Sequence, residues 1–120
     1  MVDGQPAPVS HYCHGVVAGE HLWISGTVGI AADGSIPGDV VDQFQICLDN
    51  IDSVLSAAGG KPDQIVKVVV YLTDINDRPK INPLRQVYFG DHRPASSLLE
   101  VSELIKPELK VEIEAEAWLG

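Results

Sequence analysis

Basic side chains are scarce in this chain: eight Lys and Arg stand against seventeen Asp and Glu over 120 residues, a formal net charge of −9. A surface of that sign repels phosphate backbones and anionic bilayers at long range, which argues against nucleic acid or membrane as a partner. Cysteine is scarcer still. Cys13 and Cys47 cannot build a disulfide framework, and two free thiols suit a reducing compartment. Long apolar runs are missing, because no stretch approaches the roughly 18 to 20 residues that a membrane helix needs. The opening "MVDGQPAPVSHY" has neither the basic nor the apolar region of a secretory signal, so the cytoplasm is the expected compartment. Repeats, low-complexity tracts and Ser/Gly linkers are absent too, so residues 1–120 read as a single domain with one small core.

What is present is a succession of short elements. Residues 14–17 and 21–28 are β-prone and meet across Ala18-Gly19-Glu20, which predicts a hairpin. The stretch "AADGSIPGD" is turn chemistry centred on Asp33-Gly34. From Asp39 the period changes: Val40, Phe44, Cys47, Leu48, Ile51, Leu55 and Ala58 recur at spacings of three and four, with Asp39 as cap and Gly59 as stop. "IVKVVVYL", residues 65–72, is apolar at nearly every position and predicts a strand in mid-sheet covered on both faces. "DINDRPKINPLRQVYF" predicts a second helix, capped by Asp77 and short or kinked because Pro83 falls inside it. Strands are expected at 95–101 and 110–118.

The last strand alternates strictly, with Glu112, Glu114 and Glu116 on one side and Val111, Ile113, Ala115 and Ala117 on the other. Like charges at i and i+2 repel, so the row is either a wet edge face or a surface against another subunit or cleft. In the second case one carboxylate would act as a base and the others would be paired.

The order and spacing of these pieces resemble the RidA family, also known as the YjgF family. The carriers are "HYCHGV" where the family has a GPYSQAV-like stretch, "WISGTV" against its SGQ strand, "LDNIDSVLSAAG", "IVKVVVYLTDIND", "YFGDHRPASSLLEV" against its PAR-S-x-V-E-V strand, and "KVEIEAEA". The resemblance implies a chorismate-mutase-like α+β fold: a mostly antiparallel mixed sheet backed by two helices, assembling as a homotrimer with clefts between subunits. It further implies hydrolysis of enamines or imines to a carbonyl compound and ammonia, with no metal or organic cofactor. In that chemistry a carboxylate activates water against the C=N carbon, and an arginine forks onto the substrate carboxylate.

Carried across by position, Glu112 falls on the family's water-handling glutamate and Tyr12 keeps its aromatic hydroxyl; these two are the expected catalytic pair. Ser25 and Gly26 keep the small polar turn, and Asn82 keeps the helix amide. The family's arginine, however, aligns with Ser96, and its frequent cysteine aligns with Leu98. A hydroxyl gives one neutral bond where a guanidinium gives a charged pair, so weak binding of simple amino-acid-derived imines is expected. Arg93 should point to the opposite face from Ser96. Arg85, where the family often has an aromatic, is the better replacement, and its plainer role is a surface helix charge. "HYCH" replaces the family's entry residues. His11, Cys13 and His14 have ligand chemistry but not zinc-type spacing, so no metal is expected. His14 is expected either as an ordinary strand histidine or as a holder of a substrate oxygen. Cys47 reads as core, and Trp23 and Trp118 as core or subunit contact.

The expected function is a cofactor-free deaminase acting on an enamine, imine or related small unsaturated amino metabolite. An aromatic-x-His entry followed by "SGT" is similar to the branch of the family that deaminates aminomuconates, so an aminomuconate-like catabolite is one such substrate. The alternative is a trimer that binds a small metabolite without turning it over. The family's older endoribonuclease label sits poorly with the net charge.

Overall fold

The computed structural model describes residues 2–8 and 12–120. Gly15–Ala18 (β1) and His21–Val28 (β2) form the hairpin, and Gly19 turns the chain at φ +62°, a conformation that favours glycine. Val40–Ala57 (α1) follows, with the Asp39 carboxylate accepting from the Val41 N–H at 2.8 Å. Ile65–Leu72 (β3), Arg78–Phe89 (α2), Ala95–Glu100 (β4) and Val111–Trp118 (β5) complete the domain.

The sheet order is β1-β2-β5-β3-β4. Only the β3–β4 pair is parallel, with α2 as its crossover; the other neighbours are antiparallel. This is the α+β architecture of a mixed five-stranded sheet backed by two helices. The glutamate row is therefore not on an edge, because β5 is the central strand.

Apolar pattern explains the layers. Val40, Phe44, Cys47, Leu48, Ile51, Val54 and Leu55 bury one stripe of α1 against Leu22, Ile24, Val68, Val70, Ile113 and Ala115 of the sheet. Both helices lie on the same side, and this corrects the reading of β3. Its residues Ile65, Val68, Val70 and Leu72 are buried, but Val66 is exposed and Val69 and Tyr71 are only partly covered. On the other face, among the described residues, Val16, Trp23, Leu99 and Trp118 stand exposed. The tryptophans thus take no part in the core.

The second helix is short, 12 residues against 18 for α1, and it continues through Pro83. The N–H that Pro83 lacks would have met the carbonyl of Pro79, which is exposed and can turn to water. Asp77 does not cap the helix with its side chain; it accepts instead from Lys80 Nζ at 3.0 Å. α2 is anchored by buried Ile81 and by the Tyr88 hydroxyl, which donates to Asp52 of α1 at 2.9 Å. Among the described residues, no helix is long and apolar enough to cross a membrane.

Candidate active site

The pairing of β2 with β5 is regular from His21 to Ile24, slips, and resumes at Thr27. Ser25 and Gly26 occupy this irregularity, opposite Glu114 of β5, while Glu112 pairs with Val28 just beyond it. A Cβ on Gly26 would stand 2.8 Å from Oε2 of Glu112, so the glycine gives that carboxylate its room. Beside them opens a cavity of about 410 Å³ whose lining includes Tyr12, His14, Ser25, Gly26, Asn50 and Glu112. Five of the eight residues expected at the site therefore meet in one place.

Glu112 is held above the ordinary carboxylate range, first by burial and then by the negative charge of Glu114. A carboxylate so tuned is a stronger base than a solvated one. The other two glutamates of the row are engaged elsewhere. Glu114 accepts from the Tyr71 hydroxyl, whose own pKa is pushed up to about 12, chiefly by that bond. Glu116 meets His21 Nε2 at 3.0 Å. Of the three, only Glu112 lines this cavity.

The polar lining is fixed by local bonds. The Ser25 hydroxyl donates to the Cys13 carbonyl at 2.6 Å, so toward a ligand it is an acceptor. Asn50 Nδ2 donates to Thr27 Oγ1 at 2.9 Å. His14 Nδ1 accepts from the Val2 N–H at 3.0 Å, so Nε2 carries the proton and donates to the Pro6 carbonyl at 3.1 Å. Both ring nitrogens are spent on the N-terminal segment. The imidazole clasps Gln5, Pro6 and Ala7 against the cavity as one of its walls, and this engagement leaves no nitrogen to hold a substrate oxygen. His11 lies outside the described residues. Cys13 and Cys47 are free thiols, and burial pushes that of Cys47 up, as befits a core residue. Among the described residues no three His, Cys, Asp or Glu side chains cluster as a metal site.

Asn82, Ser96 and Leu98 are not part of this cavity. Ser96 and Leu98 pair with Val68 and Val70, both buried under the helices, and Leu98 packs on the core. Glu112 pairs with Tyr71, on the other alternation. Ser96 and Glu112 thus belong to opposite sides of the sheet, and no local adjustment brings them together in one chain. Arg85, the candidate that the sequence offered in place of the missing arginine, reaches Ser96: its Nη2 donates to Ser96 Oγ at 2.9 Å. The guanidinium is half-buried and bonded to the strand rather than a free surface charge.

Sequence reasoning missed Asn50, Lys106 and the Gln5–Ala7 wall. Asn50 had a signal, since it stands at spacings of three and four from Cys47 and Val54, a polar interruption on the flank of an apolar stripe. Lys106 and the wall come from segments without periodicity, and their positions are tertiary.

The geometry can be set beside known proteins. Residues 3–119 match the family described as Endoribonuclease L-PSP. A RutC family protein of Pyrococcus horikoshii is 39% identical over 120 residues, covering 98% of this chain and 94% of the relative. The 2-iminobutanoate/2-iminopropanoate deaminase of Escherichia coli is 36% identical over 117 residues, covering 94% of this chain and 91% of the relative. The crystal structure of Escherichia coli TdcF with bound serine superposes with a TM-score of 0.92 at 32% identity, covering 100% of this chain and 98% of that one.

Proposed function

The chain belongs to the RidA family, the group that the Endoribonuclease L-PSP description covers, and on that premise we propose that it is a cofactor-independent deaminase of small imines or enamines. The observation that carries this reading is the placing of Glu112. It is a partly buried carboxylate with a raised pKa, set beside Gly26 in a cavity of metabolite size, and its neighbouring glutamates are tied to other groups.

The reaction needs little more than a base and a positioned imine. A water oxygen bonds to the imine carbon while Glu112 takes one of the water protons. Glu112 then returns that proton to nitrogen and takes the proton of the new hydroxyl as the carbon–nitrogen bond breaks, so that the carbonyl forms and the departing ammonia carries the last proton away as ammonium. Tyr12 supplies a hydroxyl at the mouth, and the Ser25 oxygen accepts from the iminium N–H. A net charge of −9 favours a small metabolite over RNA, whatever the family's name suggests.

The working unit in this proposal is a homotrimer. Glu112, Tyr12, Ser25 and Gly26 form one half of a cleft, with His14 holding its wall. Asn82, Ser96 and Leu98 of an adjoining copy form the other half. Two halves on opposite sides of one sheet make a complete site only when copies meet edge to face. The exposed tryptophans on the sheet face away from the helices supply apolar surface for such an assembly.

The test is ammonia release from freshly generated imines, with 2-iminopropanoate, 2-iminobutanoate and an aminomuconate-like substrate as the panel. Release that is lost in Glu112→Gln establishes the deaminase. Saturable binding of these compounds or their products, without ammonia, would instead assign a metabolite-binding trimer; the serine in TdcF gives that second reading its footing.

A further inference from the structure

Two guanidiniums on α2 break the electrostatic pattern of the chain. Carboxylates outnumber Lys and Arg seventeen to eight, so a basic side chain has many acids to choose from. Yet among the described residues the ion pairs are His21–Glu116 and Lys80–Asp77, and Arg85 enters neither. Its hydrogen-bond partner is the neutral hydroxyl of Ser96. The charged group that acts on it most is another cation, Arg78. Both its half-burial and that neighbour weaken the guanidinium's hold on its proton. A cation desolvated beside a like charge costs free energy unless an anion joins it.

The surroundings are arranged for an anion. Arg78, Asn82 and Arg85 fall at i, i+4 and i+7, one stripe of α2. The Tyr88–Asp52 bond and buried Ile81 fix the helix that carries them. Arg85 offers five N–H groups and spends one on Ser96, which leaves donors for two oxygens of a planar ligand. Ser96 Oγ is the acceptor in its bond with Arg85, so its own O–H is not spent there and can donate outward. The strand presents that hydroxyl in an exposed position at the sheet edge, open to a ligand.

We infer that Arg85, flanked by Arg78 and Asn82 and steadied by Ser96, binds the carboxylate of a small 2-imino or 2-oxo acid. The inference rests on the deaminase reading for its ligand class. The cation comes from the helix, and the strand contributes only the hydroxyl that aims it. A carboxylate fits this arrangement because two coplanar oxygens match the guanidinium fork.

The experiment titrates the full chain with 2-oxobutanoate and with butanone, which keeps the ketone and lacks the carboxylate, and follows side-chain resonances by NMR. The wild type is expected to bind 2-oxobutanoate saturably, with the Arg85 Nε signal among those that move, and to bind butanone much more weakly. Loss of the charge-assisted bonds in Arg85→Met should weaken 2-oxobutanoate by about 10- to 100-fold, and Ser96→Ala by roughly 3- to 10-fold. Arg85→Lys keeps charge without the fork, guards against a folding artefact, and should fall between. In turnover, Arg85→Met should raise KM for 2-iminobutanoate by more than it lowers kcat. Equal binding of the two probes by the wild type, or unchanged 2-oxobutanoate binding in folded Arg85→Met, overturns the site. Discrimination that depends on Arg85, without ammonia release from any imine, leaves the site standing and removes the deaminase. Ammonia release with a KM indifferent to Arg85 does the reverse.

Discussion

Gly26 and Glu112 share one space: a methyl group on the glycine would lie 2.8 Å from Oε2 and 3.0 Å from the carboxylate carbon of the glutamate. Gly26→Ala must therefore push the carboxylate aside, and a displacement near 1 Å at a reacting group costs roughly 100-fold in rate. The expected result is that loss in kcat/KM with little change in thermal midpoint, because Gly26 is exposed and outside the core. Equal activity in the two proteins would mean that Glu112 works from another rotamer.

Glu112→Gln keeps the shape of the side chain and removes the proton acceptor. Turnover should fall by roughly 10² to 10⁴. Glu114→Gln and Glu116→Gln should cost much less, since those carboxylates serve Tyr71 and His21. Steady-state ammonia release from 2-iminopropanoate compares the three directly, and similar losses in all would refute the assignment of the base.

The raised pKa of Glu112 gives two pH effects of definite sign. As base it must be ionised, so activity should decline on the acid side with a midpoint above the usual Glu value of about 4.3. Glu114→Gln removes one of the two causes and should move that midpoint down. For stability, a carboxyl whose pKa is higher in the folded state favours folding while protonated and loses that contribution as pH rises through the folded value. Glu112→Gln should therefore raise the thermal midpoint at pH 7 relative to wild type, and gain less at pH 4. A pH–rate profile and melting at the two pH values check both signs.

What was legible in the sequence follows how local each signal is. The alternation of β5 and the three-and-four spacing of α1 are written in neighbouring residues, so their buried faces were readable. Pairing order is not local. The apolar run of β3 looked like a strand covered on both sides because sequence does not tell that α1 and α2 pack on the same face. Gln43 is fully buried on α1, with bonds to Pro37, Glu108 and Lys110 that no helical pattern announces. Within the site, Glu112, Tyr12, Ser25 and Gly26 follow from aligned motifs on adjoining strands. The clasp at His14 and the bond from Arg85 to Ser96 depend on how distant segments pack, although the missing strand arginine had already pointed to Arg85 as its replacement.

Trp23 is 45% and Trp118 is 55% exposed on the sheet face away from the helices. Two half-exposed tryptophans beside Val16 and the paired Glu114 and Glu116 are surface that a lone chain would leave wet. Light scattering at micromolar concentration should give three times the chain mass of 12.9 kDa. Trp23→Glu sets a second carboxylate opposite Glu116, its partner in the β2–β5 register, and should lower that mass and abolish activity together. A monomeric wild type that still turns over imines would place the whole site within one chain.

Arg85 and Ser96 also allow the position of the cation to be exchanged between helix and strand. Ser96→Arg alone adds a third guanidinium near Arg78 and Arg85, so repulsion should offset any new bond and kcat/KM for 2-iminopropanoate should change by less than about 3-fold. Arg85→Met alone should lose about 10- to 100-fold, as loss of charge-assisted bonds to a carboxylate requires. Combining the two restores one guanidinium beside the same ligand, now from β4, and makes room for it where the helix arginine stood. The double variant should therefore recover most of the loss, a large departure from additivity between touching residues. Additive losses would show that Arg85 supports the fold of α2 and β4 rather than the ligand. A large gain from Ser96→Arg alone would show that Arg85 does not serve the carboxylate, and that position 96 lacks a cation as the sequence first suggested.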